Sequence, residues 1–353
     1  MKTQLISLFL IPLLFINGIS SPVNTREQEK METTRQSLFE KVETLSGIPW
    51  YVLAAMDQYE RNLQQVRQDL KKQTGPVAIT VPPKLWSGIT NPDPYDTTPE
   101  SIRFFGGIGG DGNGDGKADP ENPLDVLYTI TRYLREFGNS RDDIRIGLWN
   151  YYQHPTAVDL VSHYAEVYRH FNTTHLNRFS FVMPLHFNYT YHNTWGSRRG
   201  WGGLRIHEGT DIFASYGTPV LSTVYGYVEL KGWNRYGGWR IGIRDLKNNY
   251  HYFAHLSRFD KNIKKGSIVQ PGQVLGYVGS SGYGPPGTSG KFPPHLHYGI
   301  YKFNGNTTYS YDPYPFLKAR ERAEYKKQAE YKKQKKTRKA TRKEKGKQNK
   351  APR

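Results

Sequence analysis

No cysteine occurs in the 353 residues. Disulfides, thiolate metal ligands and a lipid-modified cysteine anchor are therefore all excluded. Stability has to come from packing, from a bound metal, or from both. Long apolar runs are nearly as scarce. One run, from Leu5 to Ile16, follows Lys2 and precedes the small residues Gly18, Ser20 and Ser21. It is short of the roughly 20 residues that a membrane span needs, and it reads as an export signal over residues 1–20, with an uncleaved anchor as the alternative. Acidic charge is the third scarcity: 31 Asp+Glu stand against 49 Lys+Arg, a net of +18. The imbalance is local, because residues 318–353 hold 17 Lys+Arg against 4 Glu, a net of +13. That segment repeats Ala323-Glu-Tyr-Lys-Lys-Gln as Ala329-Glu-Tyr-Lys-Lys-Gln and then offers almost nothing apolar, so it is expected to be a disordered basic tail. Its charge suits an electrostatic tether to anionic polymers or lipid head groups. Nucleic acid is not expected as a partner, since an exported chain seldom meets it.

What remains is long enough for two cores. Residues 25–172 read as mainly helical, with apolar positions at helical spacing in 37–70, 124–137 and 156–171. Between them, the Gly-, Pro- and Asp-rich stretch 74–122 is excluded from regular helix. From residue 179 the texture changes to short β-branched and aromatic runs between Gly/Pro/Asn turns, at 219–229, 239–245, 251–255, 273–279 and 297–303. That spacing signals an antiparallel all-β domain over 177–317, reached through a linker at 172–177. The expected fold class is multi-domain α + β.

Two pairs of residues carry the chemistry. His207-Glu-Gly-Thr-Asp211 is an H-x3-D pair, and His295-Leu-His297 is an H-x-H pair. Together they supply three good zinc ligands with one histidine left over, because neutral imidazole and carboxylate both suit Zn²⁺ and three protein ligands leave a position for water. Period-2 alternation puts His295 and His297 on one face of a strand, so one is free to bind metal while the other reaches the water. His207-Glu208 also resembles the start of the helical H-E-x-x-H motif. The fifth residue is Asp211, however, and Gly209, Thr210 and the run that follows predict loop then strand, so that reading fails.

A second candidate metal site is the acidic loop. Asp111, Asn113 and Asp115, with Gly116 sixth and the Lys117 carbonyl seventh, match the start of a calcium-binding EF-hand loop. The twelfth position is Asn122 rather than Glu, and Asp125 is placed to close a longer loop. The alternative is that Asp, Asn and Gly simply form turns there.

The ordered motifs His207-x3-Asp211, Gly217-Thr-Pro-Val220, Gly232-Trp-x3-Gly-Gly238, Tyr252-Phe-Ala-His255-Leu, Gly272-x3-Gly276 and His295-x-His297 resemble the lysostaphin/LytM-type zinc endopeptidases of bacterial cell walls. The resemblance implies His207, Asp211 and His297 as zinc ligands and His255 and His295 as catalytic histidines. It implies peptidoglycan as the substrate; with the export signal this places the protein at the cell wall or the outer face of the membrane, where the charge of the tail suits anionic wall polymers as partners. In layout the whole chain resembles the sporulation L-alanyl-D-glutamate endopeptidases of bacilli, which implies cleavage of L-Ala–D-Glu in stem peptides during cell-wall or spore-cortex remodelling. The rival class is a wall-binding or hydrolase-activating protein without peptidase activity. Tyr189-Thr-Tyr191-His192-Asn193 and Trp233, Tyr236 and Trp239 are candidate groove walls, with core packing as their other reading.

The helical part resembles the lysozyme-like fold of lytic transglycosylases, through Gly47-Ile-Pro-Trp-Tyr-Val-Leu-Ala-Ala-Met-Asp-Gln-Tyr-Glu60, the loop from Asp111 to Asp125, and Gly147-Leu-Trp-Asn-Tyr-Tyr-Gln-His154. The resemblance implies Glu60 as a general acid in glycan cleavage. Two departures stand against it: the Gly-Leu/Pro-Met-Gln stretch is absent after Glu60, and Gln153 stands where an Asn is expected. They point to a domain that holds or positions glycan.

Overall fold

The computed structural model describes residues 22–200 and 204–348; the expected export signal at residues 1–20 lies outside them. Helices come first: α1 (Pro22–Ser46), α2 (Trp50–Val66), the single-turn α3 (Pro83–Ser87) and α4 (Pro99–Phe104), α5 (Pro123–Arg135), α6 (Arg141–Tyr152) and α7 (Pro155–Phe171). Local chemistry explains the boundaries. Gly47, at φ 74°, and Pro49 divide the expected 37–70 helix into α1 and α2. Asn122 caps α5 by accepting from Leu124 N, with Pro123 in the first turn. Ser140 and Asp143 form a reciprocal capping box at α6, and Asn172 ends α7 in the left-handed conformation. The Gly- and Pro-rich 74–122 stretch contributes only the two short helices.

Strands follow: β1 (Tyr189–Tyr191), β2 (Arg198–Arg199), β3 (Arg205–Ile206), β4 (Thr210–Ala214), β5 (Pro219–Leu221), β6 (Gly226–Asn234), β7 (Gly238–Asp245), β8 (Asn249–Phe259), β9 (Ile268–Val269), β10 (Val274–Val278), β11 (His295–Phe303) and β12 (Thr308–Tyr311). The main sheet runs β1-β4-β11-β8-β7-β6-β9, antiparallel throughout, with β10 joining β5 and β8, and β12 on β11. The expected helical-then-antiparallel order is therefore what the chain adopts. The run 219–229 is two strands rather than one, since Ser222 to Tyr225 turn between β5 and β6.

Alternation along the central strands sorts the side chains. In β11, Leu296, Tyr298 and Ile300 are buried in the β core, while His295, His297 and Tyr301 line a cleft on the other face. In β8, Phe253 and Leu256 enter the core and Tyr250, Tyr252 and Ala254 line the cleft. The helical core is built on α2 packed along α7, and it extends across the boundary to include Leu246 and Phe303 of the β part. His163 of α7 stacks on Tyr227 at 4.0 Å and meets Glu229 at 3.0 Å, and Asn62 donates to the Leu246 carbonyl. Helices and sheet therefore share a packed, hydrogen-bonded contact.

The basic segment departs from expectation. Residues 314–348 form a helix, α8 (Tyr314–Gln348), not a disordered tail. Its Ala, Glu, Lys, Arg and Gln are strong helix formers, and Lys318–Glu321 and Lys327–Glu324 pair one turn apart. The first turns are docked: Leu317 is fully buried, the Tyr189 and Tyr191 hydroxyls donate to Glu321 at 2.7 and 2.8 Å, and the Arg320 guanidinium lies 3.4 Å from the Phe316 ring centroid. No helix among the described residues is long and apolar enough to cross a membrane.

Candidate active site

Antiparallel pairing of β4 with β11 sets Asp211 directly opposite His297 and Phe213 opposite His295. His207 approaches from the loop before β4, and Gly209 makes that approach possible, because a Cβ there would lie 2.6 Å from the His297 ring. His207 Nε2, His297 Nδ1 and Asp211 Oδ1 form a triangle with sides of 2.9, 3.1 and 3.1 Å. Among the described residues, these three side chains form the group whose ligand atoms are close enough to share one ion.

The hydrogen bonding around the triangle tests whether a metal fits. His207 Nδ1 lies 2.8 Å from the Thr194 carbonyl. A carbonyl only accepts, so Nδ1 carries the proton and Nε2 of the neutral ring presents a lone pair. Asp211 Oδ1 is also an acceptor. A single proton on His297 Nδ1 serves only one of these two, whereas a cation between the three atoms satisfies all of them. Two imidazole nitrogens and one carboxylate oxygen are a donor set that zinc accepts, at bond lengths of roughly 2.0–2.2 Å. Asp211 Oδ2 is held by Arg199 on β2, which fixes the carboxylate and leaves Oδ1 toward the histidines. Burial opposes ionisation of Asp211, but hydrogen bonds with His207 and His297 outweigh it and hold the carboxyl far below the usual range.

His255 and His295 stand beside the triangle, their ring centroids 4.8 Å apart. His295 Nδ1 donates to the Pro293 carbonyl at 2.9 Å, leaving Nε2 3.8 Å from Asp211 Oδ1. His255 Nδ1 donates to the Ser281 carbonyl at 2.8 Å. Each ring therefore keeps its proton on Nδ1 and offers Nε2. Burial, with His295 and His297 adding to it, pushes the His255 pKa down to about 3, and burial lowers His295 too. Strict alternation would send His255 into the core after Ala254. A bulge prevents this: Trp239 pairs with Leu256 and Ile241 with Phe253, so Ala254 and His255 together oppose Arg240. His255 takes up the extra length at φ 62°, a conformation costly for a non-glycine residue and common at functional sites.

The cleft over these histidines has a volume of about 660 Å³. Tyr236 lines it as expected. Trp233 and Trp239 instead pack edge to face across the β6–β7 hairpin at 5.1 Å, and Tyr189 and Tyr191 hold α8. Two wall residues belong to no motif in the sequence, Arg199 and Arg240. A polar alternation in β7 and β8 was the available signal, but the bulge obscures it.

The other two candidate sites do not assemble. In the acidic loop Asp111 accepts from Gly114 N and Gly116 N, Asn113 from Asp115 N, and Asp115 from Lys117 N. Asp125 is buried and accepts from Gly112 N, Asn113 N and Asp119 N. Their lone pairs serve loop amides, and the carboxylates do not gather into a group able to share an ion, so the structure gives no support to calcium there. Glu60 is half-buried in α2. Burial pushes its pKa up to about 8, with Asp57 adding to the rise and Tyr152 opposing it. A neutral acid suits a general acid, yet Glu60 lines neither the cleft nor a smaller cavity of about 350 Å³ between α2, α6 and α7.

Residues 205–311 match the sequence model of peptidase family M23. Over 327 residues the chain is 53% identical to an L-Ala–D-Glu endopeptidase of Bacillus subtilis, covering 93% of this chain and 99% of that protein. It is 38% identical over 117 residues to a glycyl-glycine endopeptidase of Staphylococcus capitis, covering 32% of this chain and 29% of the relative. A peptidoglycan DD-endopeptidase of Vibrio cholerae is 34% identical over 97 residues, covering 28% and 20% respectively.

Proposed function

The chain belongs to peptidase family M23, and on that premise we propose that it is a zinc-dependent endopeptidase that hydrolyses the L-Ala–D-Glu bond in stem peptides of bacterial peptidoglycan. The observation that carries this reading is the His207–Asp211–His297 triangle with two free histidine Nε2 atoms beside it, in one cleft. The choice of bond is supported by the near full-length similarity to a protein of that name. Relatives that match only the β part carry names for other bonds.

His207, Asp211 and His297 hold the metal. Zinc, when bound, supplies a Lewis acid for the scissile carbonyl and lowers the pKa of water toward about 7. His255 and His295 handle protons. Their Nδ1–H groups are fixed on backbone carbonyls, so Nε2 is the reactive atom of each. As neutral rings they accept a proton at Nε2 from the attacking water; once protonated there, a ring stabilises developing charge on the carbonyl oxygen or returns the proton to the leaving amine. Arg199 keeps the Asp211 carboxylate oriented. A non-enzymatic wall-binding role fits less well, because all three ligands and both flanking histidines are in place.

Around this centre we assign residues 177–317 to the peptidase unit and 25–172 to a helical unit that positions glycan. The signal at 1–20 exports the protein to the wall, where it serves wall or spore-cortex remodelling. The distal part of α8 tethers it to anionic wall polymer. The test is to digest purified peptidoglycan with the zinc-loaded protein and identify new termini by mass spectrometry. New D-Glu amino termini, abolished by a chelator and restored by zinc, are expected. Unchanged muropeptides, or new termini at another bond, would refute the assignment.

A further inference from the structure

Substrate recognition beside the scissile bond poses a charge problem. A glutamate residue on the leaving side has one amine, which is the scissile nitrogen, and two carboxyl groups. The peptide continues through one, so the other stays free and is ionised at neutral pH. It sits within a few covalent bonds of the reacting centre and must be accommodated in the same cleft, where an uncompensated anion is costly.

The cleft wall contains Arg199, Arg205 and Arg240. Arg199 is committed to Asp211. Arg205 is exposed and donates to the Tyr283 hydroxyl at 2.7 Å. Arg240 differs from both. Its Nε is buried with no hydrogen-bond partner, and it pairs with no carboxylate among the described residues, although its neighbour on the same strand, Arg244, is paired with Glu229. Arg240 is also the residue opposite the Ala254–His255 bulge, so the irregularity that turns His255 toward the metal ligands sets Arg240 against the same cleft. Its guanidinium carbon is 6.0 Å from the Tyr252 ring centroid, and that ring meets His297 edge to face at 5.9 Å. The guanidinium also hydrogen-bonds Tyr252, so one aromatic ring separates His297 from a guanidinium that no carboxylate among the described residues neutralises.

Resting on the L-Ala–D-Glu reading, we infer that Arg240 is a specificity-determining residue that receives the free carboxylate of the D-glutamyl residue. A guanidinium presents a planar fork that matches a carboxylate through two parallel N–H···O bonds, which an ammonium cannot reproduce.

The experiment compares two synthetic stem peptides, one with the free D-Glu carboxylate and one with that group as a carboxamide, on zinc-loaded wild type, Arg240→Gln and Arg240→Lys. Wild type is expected to favour the carboxylate peptide in kcat/KM by about 10- to 100-fold, the effect of a buried charge-assisted pair. Arg240→Gln should bring that ratio close to one while retaining its zinc, and Arg240→Lys should restore part of the preference. Equal kcat/KM for both peptides in wild type, or a ratio unchanged in Arg240→Gln, overturns the inference while leaving the bond assignment standing. Failure of wild type to cut either peptide at L-Ala–D-Glu removes the bond assignment and this inference with it.

Discussion

Two buried aspartates, one in each half of the molecule, show where its chemistry is concentrated. Asp57 in α2 and Asp211 in β4 are 0% and 5% exposed. Asp57 Oδ2 accepts from Arg35 and Arg61, and Oδ1 accepts from Ala78 N. Every direction around that carboxylate is filled by a donor of the chain itself, and the result is a cross-link between α1 and α2. Asp211 also has one oxygen filled, by Arg199. Its other oxygen faces His207, His297 and His295 at 3.1, 3.1 and 3.8 Å, and the N–H groups of His207 and His295 are tied to backbone carbonyls. The helical half spends its buried polar groups on structure. In the β half, Asp211 Oδ1 instead shares one point with two imidazole nitrogens, and that difference separates a scaffold carboxylate from a candidate metal ligand.

The comparison breaks most visibly if the two aspartates respond alike to truncation. Asp211→Ala or His207→Ala should lose zinc and peptidase activity together, to below detection, because removing one of three ligands strips the site; metal analysis and peptide turnover on the same preparations check this. Next in size, His255→Ala should retain zinc and lose roughly 10²- to 10⁴-fold in turnover, the worth of a positioned proton donor or acceptor.

Opposite pH responses sharpen the contrast. The Glu60 pKa is raised from 4.5 to about 8. Its contribution to stability is therefore fully present below about pH 4.5 and lost as pH rises through about 8. Asp245 in the β half is lowered from 3.8 to about 2, where hydrogen bonds with His251 and Asn249 outweigh its burial. Its contribution is present above pH 3.8 and lost as pH falls through about 2. Glu60→Gln should flatten the alkaline fall in melting temperature without altering the acid limb, as measured by thermal unfolding from about pH 3 to pH 9. A glycan-cleaving role for Glu60 would instead appear as lost glycan cleavage in that variant. The smallest effect concerns α8. Residues 329–353 hold 12 Lys+Arg against 2 Glu, beyond the docked turns at Leu317 and Glu321. Truncation after Gln328 should leave turnover of small peptides unchanged and weaken binding to intact wall, most clearly at low ionic strength, since exposed charges are screened beyond about 8–10 Å at physiological salt.

While the choice of His297 over His295 as ligand came from the family resemblance, a candidate metal site was legible in the sequence because H-x3-D and H-x-H are local patterns whose strand periodicity fixes their faces. The helix-then-strand order was legible for the same reason. Arg199 and Arg240 were not, because their roles depend on pairings across the sheet and on a bulge that shifts register between β7 and β8. Tyr189 and Tyr191 looked like groove walls, yet their hydroxyls bond Glu321, 130 or more positions away in the chain. Low apolar content in the α8 segment suggests disorder, yet its residues favour helix and its first turns find partners on the sheet.

The most direct test of this account is the zinc content of His295→Ala beside that of His297→Ala. The two histidines share one face of one strand, but only His297 completes the triangle. About one zinc per chain in His295→Ala, with turnover largely lost, and almost none in His297→Ala is the expected result for a three-ligand site. A metal-free His295→Ala beside a fully loaded His297→Ala would show that ligand and catalyst have been exchanged.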